Sequence, residues 1–213
     1  MIYLTKSAKP KILELNADTW TTELLKKIAA GEEPSTYLLS RYSHKEIKAA
    51  LLAETNDKCA YCESPVRHIT HGDIEHIIPK SSQPALRFEW NNLTVACDMC
   101  NTNKSDSTGV VDPYASDPNG RFDFYGPLMW ASPQDEEAVF TEEKLQLNRD
   151  GLVERRKERL EYLRSLVDSA ASKRPDIRDA MIERAEREIM SDKPFSACAK
   201  ATLERIKLRY GVT

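Results

Sequence analysis

Two CxxC pairs, CAYC at Cys59 and Cys62 and CDMC at Cys97 and Cys100, constrain this chain more than any other feature. Two such pairs supply the four soft ligands of a tetrahedral Zn²⁺ site with little strain. Two disulfides or a redox centre are the competing readings. Disulfides fit poorly with an N-terminus, MIYLTKSAKPKILEL, that has no signal-peptide hydrophobic stretch. A redox pair needs no second copy. The spacing therefore predicts a structural Zn²⁺ on Cys59, Cys62, Cys97 and Cys100. The 34 residues between the pairs exceed a ribbon loop, so the zinc is expected to clamp the ends of a hairpin. Cys198 stands alone in a helical pattern and reads as a buried core thiol.

The insert carries GDIEHIIPKS, residues 72–81. Ile74, Ile77 and Ile78 predict a strand, which Glu75 and His76 interrupt at its centre. Neighbours on a strand point to opposite faces, so a pair serving one small ligand needs a bend or a special site. Asn92 opens a second strand, NLTVAC. Asn101 follows the last zinc cysteine on a short helix, with Lys104 one turn on. Taken singly, each has a plain reading: His76 as a satisfied histidine, Glu75 as a solvated strand residue, Asn92 as a turn former, Asn101 as a helix-start residue. Taken jointly, inside a zinc frame, they predict a functional site.

This order of elements resembles the HNH endonucleases, the zinc-framed branch of the ββα-metal nucleases. Their pattern is CxxC, an acid–His–x–x–Pro strand, an Asn-Leu strand, then CxxC-Asn-x-x-Lys. Here these are Cys59/Cys62, Glu75-His76-Ile77-Ile78-Pro79, Asn92-Leu93 and Cys97/Cys100-Asn101-Thr102-Asn103-Lys104. Glu75 stands where many relatives have Asp. The resemblance implies that His76 is the general base, that Asn92 orients its imidazole, and that Glu75 and Asn101 bind one divalent cation beside the scissile phosphate. The chemistry agrees: histidine supplies a near-neutral base, and hard oxygen ligands suit Mg²⁺ or Mn²⁺. Four residues stay open. Asp73 either helps orient His76 or begins the strand, and Lys104 is either a phosphate contact or a solvated lysine. His68 and His71 read as loop-surface histidines, with extra ligands as the alternative.

Shorter strings, CAYCE, DIEHIIPKS, FEWNNL and VDPYASDP, are similar to the HNH components of Septu-type and retron-linked bacterial anti-phage systems. That similarity implies an ATPase partner protein and a nuclease effector role on DNA or RNA. The competing functional reading is a zinc-ribbon binding subunit of such an ATPase, without catalysis of its own. The acid–His pair and Asn101 argue against it, because binding alone needs none of them.

The expected fold is mainly α (α+β), with the zinc-bound ββα-metal core inserted among helices. Residues 1–56 form an N-terminal helical segment, 57–110 the core, and 111–213 an acidic loop followed by a C-terminal helical region. Helices are expected at 18–30, between a capping Asp18 and Gly31, and at 44–55, with Ile47, Leu51 and Leu52 inward. Others are expected at about 152–170, 176–190 and 195–209. Leu152, Arg156, Leu160, Leu163 and Val167 trace one helix face, with the arginine snorkelling. Residues 112–134, around Pro113, Pro118, Pro127 and Pro133, read as loop. No apolar run is long enough to span a membrane, and a cytoplasmic location is expected.

The net charge of −3 is unevenly spread. Residues 105–150 carry 10 acidic and 3 basic side chains, net −7, whereas 151–213 carry 15 basic and 11 acidic, net +4. A nucleic-acid binder usually shows a basic stripe. Its absence predicts weak binding by the isolated chain unless folding clusters Lys80, Arg87, Lys104 and the C-terminal arginines, or a partner covers the acidic segment.

Overall fold

The computed structural model describes residues 1–66, 72–171 and 173–210. His68 and His71 lie outside them. Among the described residues helices dominate, and the sheets are two short antiparallel hairpins. Among the described residues no helix is long and apolar enough to cross a membrane.

Helix α1, Lys11–Ala29, begins seven residues before the expected Asp18 cap. Pro10, with φ −58°, sits at the cap position, where its missing N–H removes nothing a helix start would use. Asp18 is exposed in mid-helix, while Leu13, Ala17, Trp20 and Leu24 form the buried stripe. A short helix α2, Thr36–Ser40, is capped by Ser35, whose hydroxyl accepts the Leu38 N–H at 3.2 Å. A 3₁₀ turn, Arg41–Ser43, then leads into α3, Lys45–Glu54, which buries Ile47, Leu51 and Leu52 as expected.

The core hairpin pairs β1, Asp73–His76, with β2, Leu93–Ala96, in the register Glu75↔Thr94 and His76↔Leu93. The strand is shorter than its isoleucines suggested: Ile77 and Ile78 lie beyond it. Pro79 cannot extend a ladder. The Ile78 N–H instead donates to Asn92 Oδ1 at 2.7 Å, a side chain taking the place of a strand partner. Helix α4, Asp98–Lys104, follows β2 directly and completes the ββα unit.

Residues 112–134 are not a loop. They hold a second hairpin, β3 Phe122–Tyr125 and β4 Leu128–Ala131. Gly126 and Pro127 form its two-residue turn, with Gly126 at φ +61°, the conformation such a turn needs at its first central position. The backbone of Met129 in β4 is fastened by Asn148: its N–H donates to Oδ1 at 2.9 Å and its carbonyl accepts from Nδ2 at 2.6 Å. The Ala131 N–H donates to Glu142 Oε2 at 2.6 Å. Glu142 lies on α5, Glu136–Lys144, a helix whose buried residues are only Ala138 and Thr141. Some of the acidic side chains of 105–150 thus have structural partners: Arg121 holds Asp135 at 2.6 Å and Glu137 at 2.6 Å.

The C-terminal helices are α6 Asp150–Ala171, α7 Pro175–Arg187 and α8 Ser196–Tyr210. One hydrophobic cluster runs from Leu13 through Phe88 and Leu93 to Leu163 and Ala199, so α6 and α8 share a core with the ββα unit, while Ile182 and Ala185 of α7 pack with Val167 and Leu203 in a second cluster. Cys198 is buried in the first, and burial pushes its thiol up to about 11. Arg156 does not snorkel. It is 2% exposed, and its guanidinium donates to the carbonyls of Leu147 at 2.8 Å and Pro127 at 3.2 Å. Arg156→Leu is expected to cost about 2–4 kcal/mol, because these buried carbonyls lose their donors. Arg155→Leu, one residue earlier and exposed, should change stability by less than about 0.5 kcal/mol. Urea unfolding of both variants checks the contrast.

Candidate metal centre and catalytic cleft

The four cysteines of the two pairs come together. All four sulfur atoms lie within 4.8 Å of one another, and Cys62 and Cys97 are 3.8 Å apart. Tetrahedral Zn–S bonds of about 2.3 Å require S···S separations of about 3.8 Å, so the set fits Zn²⁺. Burial pushes the Cys59 thiol up, while hydrogen bonds from Cys100 hold Cys62 and Cys97 down. Such a set gives up its protons most readily to a cation that replaces them.

Two groups outside the cysteine frame support it. Glu63, in a left-handed conformation directly after Cys62, is buried and accepts the Ser196 hydroxyl at 2.6 Å, which joins the zinc turn to the start of α8. Arg149, just before α6, places its guanidinium 3.8 Å from Cys97 and Cys100 and 3.9 Å from Cys62. Four thiolates on one Zn²⁺ would carry net negative charge, which the Arg149 guanidinium would offset. The sequence offered no signal for Arg149, which lies 49 residues from the nearest cysteine. Zinc is expected to stay bound through purification at one ion per chain, by elemental analysis. Arg149→Gln is expected to weaken zinc retention by roughly tenfold or more, as loss of an outer-shell partner does. Zinc transfer to a chromogenic chelator measures it, and an unchanged transfer rate would remove the role given to Arg149.

The second feature is a cleft of about 340 Å³ beside the hairpin, lined by Glu75, His76, Pro79, Lys80, Asn101, Thr102, Ser105 and Asp106. Three of the four sequence-predicted residues, Glu75, His76 and Asn101, therefore share one cavity. Asn92 does not line it. Asn92 is buried, and its amide donates to the carbonyls of Ile78 at 3.0 Å and Leu86 at 3.2 Å while its oxygen takes the Ile78 N–H. It closes the ends of the segment between the strands and so places Arg87, rather than touching the imidazole.

That placement reaches His76. Its Nε2 lies 2.9 Å from the Arg87 carbonyl. A carbonyl only accepts, so Nε2 carries the proton and Nδ1 keeps its lone pair in the neutral ring. Burial lowers the His76 pKa to about 4, so the ring is neutral at pH 7. The Tyr42 ring packs edge-on against the imidazole, centroids 4.6 Å apart at 80°. No local pattern could have revealed Tyr42, which is 34 residues away in a different segment.

Lys104 departs from both of its sequence readings. It is fully buried, and its ammonium donates to Glu75 Oε1 at 2.9 Å and to the His76 carbonyl at 2.8 Å. Burial raises the Glu75 pKa, and the Lys104 charge opposes that rise. Asp73 does not orient His76; it accepts the Asn101 amide at 3.0 Å. With its nitrogen so engaged, Asn101 has its amide oxygen left for a ligand. A carboxylate and an amide oxygen on one water-accessible cleft are a hard donor set that fits Mg²⁺ or Mn²⁺ and leaves positions for water.

Residues 59–107 match the HNH endonuclease family. The match takes in both cysteine pairs, Glu75, His76, Asn92, Asn101 and Lys104 of this chain. Two curated relatives are similar over a longer stretch. The Septu protein PtuB of Bacillus thuringiensis is 32% identical over 84 residues, 37% of this chain and 33% of the relative. The Septu protein PtuB of Bacillus mycoides is 28% identical over 117 residues, 47% of this chain and 40% of the relative. The chain thus aligns with a third to two fifths of the length of these relatives. Tyr42 and Arg149 both lie outside the HNH segment.

Proposed function

We propose that this chain is a metal-dependent HNH endonuclease that hydrolyses nucleic-acid phosphodiester bonds and serves as the nuclease effector of a bacterial anti-phage system. One observation carries the reading. His76 is held as a neutral base with Nε2 on the Arg87 carbonyl, in a cleft shared with Glu75 and Asn101. A binding subunit has no need of a histidine so fixed.

In this mechanism His76 Nδ1 takes the proton of the attacking water. The Arg87 carbonyl and the Tyr42 ring keep the imidazole aimed, and Asn92 keeps the Arg87 segment in place. Glu75 and Asn101 would hold Mg²⁺ or Mn²⁺, which supplies charge neutralisation at the phosphate and the leaving oxygen. Asp73 fixes the rotamer of Asn101, and Lys104 fixes that of Glu75. Similarity to the Septu proteins supports the defence role and an ATPase as partner protein. The substrate is DNA or RNA.

His76→Ala is expected to lower Mg²⁺-dependent cleavage by about 10²–10⁴-fold with zinc content unchanged, and to lower the melting temperature far less than Cys100→Ser does. Supercoiled plasmid, linear DNA and tRNA, each with Mg²⁺ and with EDTA, are the substrates to compare. Retained cleavage in a pure His76→Ala sample would refute the assignment of the base. Melting of His76→Ala at the temperature of Cys100→Ser would make His76 structural and favour the binding-subunit reading.

The pH dependence follows from the low His76 pKa. The base is active when unprotonated, so protonation of His76 itself should cost no cleavage until pH nears about 4, and an earlier loss reports Glu75, whose raised pKa makes it the first of the two to protonate. Stability moves in the same direction. The unfolded chain binds a proton near pH 6.5 while the folded chain refuses it until about 4, so this group's contribution is lost as pH falls through that window. Single-turnover rates across pH, with melting recorded at each point, separate the two effects.

A further inference from the structure

One wall of the cleft is braced from outside the HNH segment. Lys80 lines it one residue after Pro79, and the Lys80 ammonium donates to the Tyr42 hydroxyl at 3.2 Å. The same ammonium lies 5.3 Å from the Tyr42 ring centroid, and the Arg87 guanidinium lies 5.8 Å from that centroid. Arg87 is itself fastened to the N-terminal segment, its Nε donating to the Leu39 carbonyl at 3.0 Å. Tyr42 therefore packs at 80° to the His76 ring and near Arg87, while its hydroxyl holds Lys80. Among the described residues Lys80 has no carboxylate within ion-pair distance. An ammonium has three donors, and Tyr42 takes one. The remaining donors belong to a cation beside the base, in a cleft whose acidic residues are Glu75, already paired with Lys104, and Asp106, which makes no ion pair with Lys80.

We propose that Tyr42 is a positioning residue that anchors Lys80 as the contact to a substrate phosphate flanking the scissile bond. This rests on the nuclease reading above and extends it to how the strand is held. A lysine side chain is flexible, and unanchored it would sample many rotamers; a hydroxyl and an aromatic face confine it. The wall also explains how an acidic chain can hold nucleic acid at this site, with Lys80 and Arg87 brought together by a residue of another segment. Lys104, buried under Glu75, takes no part in it.

The test uses the full zinc-loaded chain and its Tyr42→Phe, Tyr42→Ala, Lys80→Gln and Tyr42→Phe/Lys80→Gln variants. Fluorescein-labelled single-stranded and duplex DNA oligonucleotides are bound in Ca²⁺ and followed by anisotropy across salt concentrations. Steady-state cleavage is then measured in Mg²⁺. Lys80→Gln is expected to weaken binding several-fold and to reduce the salt slope by about one, as loss of one phosphate contact does. Tyr42→Phe keeps the ring and loses the hydroxyl, so it should raise KM more than it lowers kcat. The double variant should be little worse than Lys80→Gln alone, because the two act as one unit. Tyr42→Ala, which also strips the ring from His76, should lower kcat as well. Thermal melting separates these effects from unfolding. Additive losses in the double variant, or a Lys80→Gln chain that binds with unchanged slope, overturn the inference alone. A folded wild-type chain that neither binds nor cuts any oligonucleotide overturns the nuclease reading and this inference with it.

Discussion

The cleft depends on a buried ion pair. Lys104 is wholly enclosed, and its ammonium lies between Glu75 Oε1 and the His76 carbonyl. Removing two charges from water costs several kcal/mol per ion, which only good geometry and further hydrogen bonds recover. Here the ammonium has two acceptors, and Glu75 keeps a raised pKa even so, which shows how far burial disfavours its charge. The pair is therefore weak evidence of stability in itself. Its value is positional. It ties the last residue of helix Asp98–Lys104 to the two residues of β1 that carry the chemistry, and loss of the lysine would leave an uncompensated carboxylate in the interior.

The other end of that helix is held at the cysteine cluster. Cys97 and Cys100 belong to the four-sulfur cluster, Lys104 to the ion pair, and Asn101 lies between them on the same short helix, with Asp73 fixing its amide. Both fastenings are needed, because seven residues of helix have little stability alone. Supports also come from far along the chain. Arg149 faces three of the sulfurs, Glu63 joins the zinc turn to α8, and Arg87 lies between the N-terminal segment and His76. The 59–107 segment is thus completed by parts on either side of it.

Spacing made the site legible, and the default assignment of charged residues to solvent hid much of its support. Two CxxC pairs leave few alternatives, so the sulfur cluster could be read directly, as could the stripes of Ile47–Leu51 and Leu160–Leu163. Lys104 and Arg156 were placed at or near the surface by residue type, yet both are buried on carbonyl and carboxylate acceptors that only tertiary structure brings near. Asn92 stands in the pattern, but its partners are backbone groups, which sequence does not display. The hairpin at Phe122–Ala131 was lost among prolines, one of which, Pro127, is part of its turn. Asp18 is a good capping residue and draws the expected start of α1 into the middle of a helix that begins after Pro10. Tyr42 could not be seen at all, since its contacts lie 34 and 38 residues away.

The central claim is that Glu75 and Asn101 form one cation site beside a fixed neutral histidine. Manganese titrated into the zinc-loaded chain and followed by electron paramagnetic resonance tests it most directly, because it needs neither substrate nor partner. The account predicts one weakly bound Mn²⁺ per chain in the wild type, with affinity sharply reduced in Glu75→Gln and Asn101→Ala and retained in His76→Ala. Equal Mn²⁺ affinity in all four proteins, or none in the folded, zinc-loaded wild type, would contradict it.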